Sequence, residues 1–403
     1  METRPKSSSH NPTALFATVA GMSVASIYYA QPLLDAVARD FGIAEAALGG
    51  IVAATQLGCG LALLFVVPLG DLLERRRLML AQSLLLATTL AAVGMVASAP
   101  LLLGAMVLTG LLATAMTQGM IAYAASSAYE HERGRVVGAT QGGVFVGLLL
   151  ARVVAGAIGD IAGWRGVYFC SAAAMLLLTA LLWRRLPPLE RGRTGLSYPA
   201  LIVSMAGLLR RHRVLQVRGV LALLMFAAFN VFWSALVLPL SAPPHGFSHT
   251  AIGAFGIVGA AGALAATHAG RLADRGLERQ VTLAALLLLL LAWAPLALMP
   301  VSLWALVVGI VLLDLGGQAV HVTSQGMIFR TGSQAHSRMV GVYMLFYAVG
   351  SGLGALASTR VYAHAGWGGV CLLGAGISLG ALVFWALTRE VRDEPVVLGP
   401  AVR

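Results

Sequence analysis

Charge is what this sequence has least of. Asp, Glu, Lys and Arg make up 11% of its 403 residues and 59% is hydrophobic. Soluble domains carry about 25% charge. So few charges cannot clothe a water-exposed surface, which excludes the string of soluble domains that such a length suggests. Cysteine is also scarce. Cys59, Cys170 and Cys371 each lie inside an apolar run and form no C-x-x-C pair. An odd number without metal or redox spacing predicts buried free thiols packing as small hydrophobes. Lysine is nearly missing: Lys6 stands alone among the 27 basic residues, and the net charge is +11. A basic chain can serve nucleic acid only through a basic stripe on a soluble surface. Here the arginines fall in short segments between apolar runs, so no nucleic-acid partner is expected. Their placement fits the positive-inside rule and attraction to anionic membrane lipids.

What is abundant is long apolar sequence. A helix needs about 20 apolar residues to cross a bilayer core of about 30 Å. Residues 78–129 and 219–270 each run 52 positions without Asp, Glu, Lys or Arg. Each is too long for one helix, and Pro100 in the first and Pro239, Pro243 and Pro244 in the second mark the breaks. Pro300 splits another run. The reading is an all-α membrane protein of twelve transmembrane helices, at 13–34, 46–69, 78–98, 101–125, 136–159, 165–186, 217–240, 250–269, 280–299, 301–325, 339–360 and 366–387. The first run exceeds a signal-peptide core of about 7–15 residues and is read as a retained helix. Of the 27 basic residues, Arg39, Arg165 and Arg360 fall on one side, Arg152 falls inside a span, and the other 23 fall on the opposite side. That bias places both termini in the cytoplasm.

The chain also repeats itself at an offset of 203 residues. Asp71 meets Asp274, Arg76 meets Arg279, and Arg135 meets Arg338. Gly147 meets Gly350, and Gly163 and Trp164 meet Gly366 and Trp367. Chance matching of Ala and Leu is easy in such a composition; chance matching of Asp, Arg and Trp is not. The expected organisation is a cytoplasmic tail (1–12), a six-helix bundle (13–186), a cytoplasmic loop (187–216), a second six-helix bundle in the same orientation (217–387) and a second tail (388–403). Parallel repeats of this kind place a substrate site near the midplane between the halves.

These features resemble the major facilitator superfamily over nearly the whole chain. Its loop after the second helix reads G-x-L-x-D-R-x-G-R-R. Leu69, Asp71, Arg75 and Arg76 match, while Val67, Leu72 and Glu74 depart. In the second copy Gly270, Leu272, Asp274 and Arg275 match, and Leu277 and Glu278 depart. The resemblance implies a conformational latch built on Asp71, Arg75, Arg76, Asp274 and Arg275. The branch it suggests is the drug:proton antiporters. Gln118 and Gly119 match that branch in the fourth helix, but Ala115 replaces its arginine. In the fifth helix Gly147 and Gly156 stand, and Ala151 and Arg152 replace a Gly-Pro pair.

Ionisable residues at membrane depth cost at least about 2.5–3.5 kcal/mol and therefore point to function. Asp314 is the one carboxylate deep in a predicted span, and Gln318, His321 and Gln325 follow it on the same helical face. Asp314 is the candidate proton site, with His321 assisting. Arg152, read as the one basic residue within a span, could replace the missing arginine, pair with Asp314 or bind an anion. Tyr28, Tyr29, Gln31, Gln118, Phe226, Asn230, Trp233, Gln318 and Gln325 lie on helices that line the cavity in the superfamily and are candidate substrate contacts. The pairs Gly138 and Gly142, Gly143 and Gly147, and Gly350 and Gly354 are expected to serve close helix packing. No phosphate loop, zinc signature or nucleophile elbow is present, so no cofactor, metal or enzymatic activity is expected. The expected function is proton-coupled export of small drug-like or metabolite molecules by a monomer in a bacterial inner membrane. A proton-coupled importer or facilitator is the alternative. A receptor or membrane-embedded enzyme is a remote one, since no loop is long enough for a signalling domain.

Overall fold

Inside a bilayer no water is available to satisfy backbone N–H and C=O groups, so a spanning chain must bond them internally. The computed structural model meets that demand with helices. It describes residues 12–186, 197–330 and 336–389, with the backbone alone for residues 71, 261, 263–267, 274, 336 and 337. Fifteen α-helices follow in order: α1 Thr13–Tyr28, α2 Leu34–Phe41, α3 Gly49–Leu61, α4 Arg75–Met95, α5 Ala99–Ser127, α6 Arg133–Arg185, α7 Tyr198–Arg211, α8 Arg213–Ala235, α9 Val237–Ser241, α10 His249–Val258, α11 Ala260–Asp274, α12 Glu278–Leu291, α13 Trp293–Ala297, α14 Leu303–Phe329 and α15 His336–Thr388.

Among the described residues, nine helical segments are long and apolar enough to cross a membrane. Two of them, Arg133–Arg185 and Arg338–Thr388, hold 53 and 51 residues, twice what one crossing needs. Each is broken by a single glycine in the left-handed region, Gly163 at φ 71° and Gly366 at φ 60°. Only glycine takes that conformation without a Cβ clash. The two breaks are one repeat apart, so the predicted symmetry is seen in the backbone itself. With these two reversals, and with α10 and α11 as one further pass, the segments fit a count of twelve. Pro100 lies in the first turn of α5, where its missing N–H leaves no helix bond unmade.

The same-sign repeat continues in the packing. α1 lies on α6 and α8 lies on α15. A Cβ at Gly143 or Gly147 would strike the backbone of Ala17 or Gly21, and one at Gly350 or Gly354 would strike Leu223 or Ala227. Those two glycine pairs serve close packing as expected; Gly138 and Gly142 have nothing within 4 Å of the added atom and do not. Arg76 donates to the carbonyl of Trp183, and Arg279 to that of Arg389. Each arginine thus caps the end of the last helix in its own half.

The polarity is inside out. Leu101, Leu177, Trp183, Trp304 and Leu372 are exposed, while Gln31, Gln56, Gln82, Arg152, Asn230 and Asp314 are buried. The thiols divide: Cys59 and Cys371 are buried, but Cys170 is exposed, because its helix turns that position outward. Arg152 is not the one basic residue inside a span. Arg218, counted with the cytoplasmic arginines although it stands at the start of the predicted span 217–240, is buried in α8 and donates to Thr282 Oγ1 at 3.1 Å. The helix starts at Arg213, more than a turn before it. The segment 187–216, read as a loop, contains α7.

Candidate functional site

Two contacts between the halves define where a site can form. At one end, α10 packs on α6, and α15 packs on α3. There Asp160 accepts from the backbone N–H groups of His249 and Thr250 at 3.0 and 2.8 Å and from Thr250 Oγ1 at 2.6 Å. A carboxylate at the first turn of α10 suits the positive end of its helix dipole. The His249 ring faces Asp160 Oδ1 at 2.9 Å through Nδ1 and Asp35 Oδ1 at 3.0 Å through Nε2. Arg39 also pairs with Asp35, at 3.0 Å. The hydrogen bond from Asp35 raises the pKa of His249 above its ordinary value of 6.5, burial opposes this, and the charge of Asp35 and the bond to Asp160 add to the rise. Toward the other end of the same helices lies a cavity lined by Gln82, Gln118, Gly119, Arg75 and Arg338, with Leu201 and Met205 of α7 at its rim.

Between these ends sits Arg152, 3% exposed. Its Nε donates to Gln31 Oε1 at 2.9 Å, and Gln31 Nε2 reaches Asn230 Oδ1 at 3.4 Å in the other half. Its guanidinium carbon lies 4.0 Å from the centre of the Trp233 ring and 5.2 Å from that of Tyr28. Such stacking is worth about 2 kcal/mol when desolvated and stands in for a counter-ion. Tyr28 is fixed in turn by a 2.6 Å hydroxyl contact to Tyr347. Arg152 Nη2 and Trp233 Nε1 remain without hydrogen-bond partners.

Asp314 is 5% exposed and its Oδ2 has no hydrogen-bond partner. No ion pair joins it to Arg152. The two instead line one narrow cavity, together with Trp233, Phe229, Phe145 and Gln318. Gln318 Oε1 is also unpartnered. The wall beside them is α10 and its junction with α11. Gly256 faces the Arg152 stem, and Gly259 faces the Asp314 carboxylate.

The remaining predicted residues lie away from this centre. His321 belongs to a separate cluster: its Nδ1 is 3.0 Å from Tyr343 Oη and its Nε2 3.3 Å from Gln325 Nε2. Phe226 packs edge-on against His321 and Tyr347. Tyr29 turns into its own half, where Ser171 donates to its hydroxyl at 3.3 Å. Gln118 lies with the cavity at the far end. Of the latch candidates, Arg75 donates to the carbonyls of Gly70 and Ala122 and to Ser126, and Arg275 is exposed. The side chains of Asp71 and Asp274 lie outside the described residues. Sequence reasoning missed Asp35, Asp160 and His249, which sit at span ends where charge is unremarkable. It also missed Tyr347, which one helix face could have suggested: it lies one residue from a turn past Tyr343 in a run otherwise apolar.

A helical bundle with a buried charged centre and touching halves defines a class, the multi-pass membrane carriers, and comparison with known proteins gives the family. The Major Facilitator Superfamily profile matches residues 14–276 and 219–401. An uncharacterized transporter of Escherichia coli O157:H7, YgaY, is 41% identical over 371 residues, covering 92% of this chain and 94% of the relative. A probable transporter of Streptomyces coelicolor is 33% identical over 368 residues, covering 91% and 85%. A bacterial homolog of the human lysosomal transporter Spinster, crystallised inward-facing and occupied, superposes with a TM-score of 0.72 at 15% identity, covering 94% of this chain and 96% of that one. The chain belongs to the Major Facilitator Superfamily and is a multi-pass membrane transporter of that type.

Proposed function

We propose that this transporter is a proton-coupled exporter of small molecules, set in a bacterial inner membrane with both termini in the cytoplasm. The observation that carries the reading is Asp314, a buried carboxyl group without a hydrogen-bond partner on the wall of a cavity between the halves. Enclosure favours the neutral form of an unpaired carboxyl group, and access to water or a cation favours the charged form. Such a group takes up a proton in one posture of the protein and gives it up in another. Closure at the His249 end and a cavity at the other end support alternating access. With the arginine bias taken as cytoplasmic, the His249 end faces outward. The loops holding Asp71, Arg75 and Arg76 and holding Asp274 and Arg275 are read as the cytoplasmic latch, which would hold the halves together when the cytoplasmic end closes.

The test is accumulation of lipophilic dyes, antibiotics and metabolites in bacteria stripped of their main exporters. Expression should lower accumulation of at least one compound, and both a protonophore and Asp314→Asn should restore it. Retention of a protonophore-sensitive effect in Asp314→Asn would sink the assignment of the proton site. Protonophore-sensitive accumulation above the control would turn the reading to import.

A further inference from the structure

The centre of the cavity contains four buried polar atoms without partners, and they sort by kind. Arg152 Nη2 and Trp233 Nε1 are hydrogen-bond donors; Asp314 Oδ2 and Gln318 Oε1 are acceptors. All four side chains line the same cavity, and its remaining lining is apolar or glycine: Phe145, Leu148, Leu149, Phe229, Gly256 and Gly259. Buried polar groups are ordinarily satisfied. The space is small in this posture, about 20 Å³, so four groups left open around it describe the complement of a ligand that enters as the halves part.

The placement of the two groups can be read from the glycines of α10 and of its junction with α11. Arg152 meets α10 at Gly256, where an added Cβ would lie 3.4 Å from the arginine Cβ and Cδ. Asp314 lies at Gly259, at the junction of α10 and α11, where that atom would lie 3.1 Å from Oδ2. Gly256 in the last turn of α10 and Gly259 at its junction with α11 thus leave the wall beside the two groups free of side chains. Had the two groups served only each other, they would form an ion pair, and none is present within 4.0 Å. Held apart, Arg152 is stabilised by Gln31 and two aromatic rings while one face of its guanidinium edge is left to a visitor.

We infer that the substrate is a small zwitterion of amino-acid type: its carboxylate meets Arg152 Nη2 and Trp233 Nε1, its ammonium meets Asp314 and Gln318, and its apolar side chain lies against Phe145, Leu149 and Phe229. This rests on the proton-exchange role given above to Asp314, and it explains the exchange. An ammonium group and a proton compete for the same carboxylate, so binding one expels the other. A simple carboxylate would leave the acceptor end empty, and a simple amine would leave the guanidinium unmatched.

The experiment is thermal stabilisation of the purified full-length protein by three zwitterions, leucine, phenylalanine and tryptophan. Each is set against its decarboxylated amine and its deaminated acid. At least one zwitterion should bind at least about tenfold more tightly than both of its truncated partners, since a hydrogen bond to a charged group is worth that factor. Trp233→Phe keeps the stacked ring and removes Nε1; it should weaken the zwitterion and the acid and leave the amine unchanged. Arg152→Gln should erase the advantage of the zwitterion over the amine, and Asp314→Asn its advantage over the acid. An amine or acid that binds as tightly as its zwitterion, or no stabilisation by any of the three, overturns the proposal. Proton movement in liposomes loaded with a pH dye separates the two readings. Zwitterion selectivity without proton counterflow refutes proton coupling alone. Proton counterflow driven by a lipophilic cation, without zwitterion binding, refutes this inference alone.

Discussion

Arg152 does more at this site than supply charge. Its Nε is committed to Gln31 and its plane to Trp233, and both depend on the flat, forked guanidinium. A lysine there keeps the charge and loses both contacts. Arg152→Lys is therefore expected to lower transport at least about tenfold, the equivalent of about 1.5–3 kcal/mol for a hydrogen bond to a charged group. Its elution as a folded monodisperse species should match wild type; initial rates in vesicles are the measurement. Asp314 and Arg152 were legible in the sequence because a lone charge stands out within an apolar run. Their surroundings were not. Whether Tyr28 or Tyr29 faces the centre depends on the rotation of α1 against α6, which adjacent residues in a helix cannot reveal. The structure gives Tyr28 to Arg152 and Tyr29 to Ser171. His321 shares the helical face of Asp314, yet Tyr343 and Gln325 hold it in another cluster. Tyr343→Phe should accordingly leave the proton dependence of transport in place, as measured with and without a protonophore.

Among the elements, the paired glycines decide how near the helices approach. Gly147 of α6 sits against Gly21, and its repeat partner Gly350 of α15 against Leu223. Leucine at either position must push two helix backbones apart. Gly147→Leu and Gly350→Leu should each lower the thermal unfolding temperature in detergent, by similar amounts, because each wedges the same contact in its own half. Overpacking of this kind costs about 1–3 kcal/mol or more. The hinge glycines act differently. Gly163 and Gly366 have nothing within 4 Å of an added Cβ, so alanine meets only the backbone cost of a positive φ with extended ψ, about 1–3 kcal/mol. The sequence showed the repeat at these positions through matched Gly-Trp pairs. It could not show that a single non-helical residue makes the reversal between the fifth and sixth passes. The helix α7 was unreadable for another reason: its arginines made the segment look like an ordinary charged loop.

For the molecule as a whole, the posture is set by which end is locked. At the His249 end both ring nitrogens face carboxylate oxygens, and both can donate only when the imidazole is protonated. The raised pKa of His249 fixes the sign. Its contribution to closure is fully present below the ordinary value of 6.5 and is lost as pH rises through the raised value in the closed form. Spin labels placed across this end should report a closed distance at low pH and a growing open population above neutrality. His249→Gln, which cannot bridge two carboxylates, should be more open at low pH and nearly insensitive to pH. Asp160→Asn should show the same loosening, since it also weakens the cap on α10. Pairing of the halves was legible in outline from the repeat, but this lock joins Asp35, Asp160 and His249 from distant parts of the chain, and no local pattern marks them.

α7 touches both halves at once. Tyr198 Oη donates to the carbonyl of Phe65 at 2.7 Å, and Arg338 Nη1 donates to Ser204 Oγ at 2.6 Å. A change of posture must loosen at least one of these moorings. A molecule wedged beneath α7, against Leu201 and Met205, would therefore arrest the cycle without occupying the space beside Arg152 and Asp314. Such an inhibitor would depress the maximal rate and leave the apparent affinity for substrate untouched, and no excess of substrate would displace it.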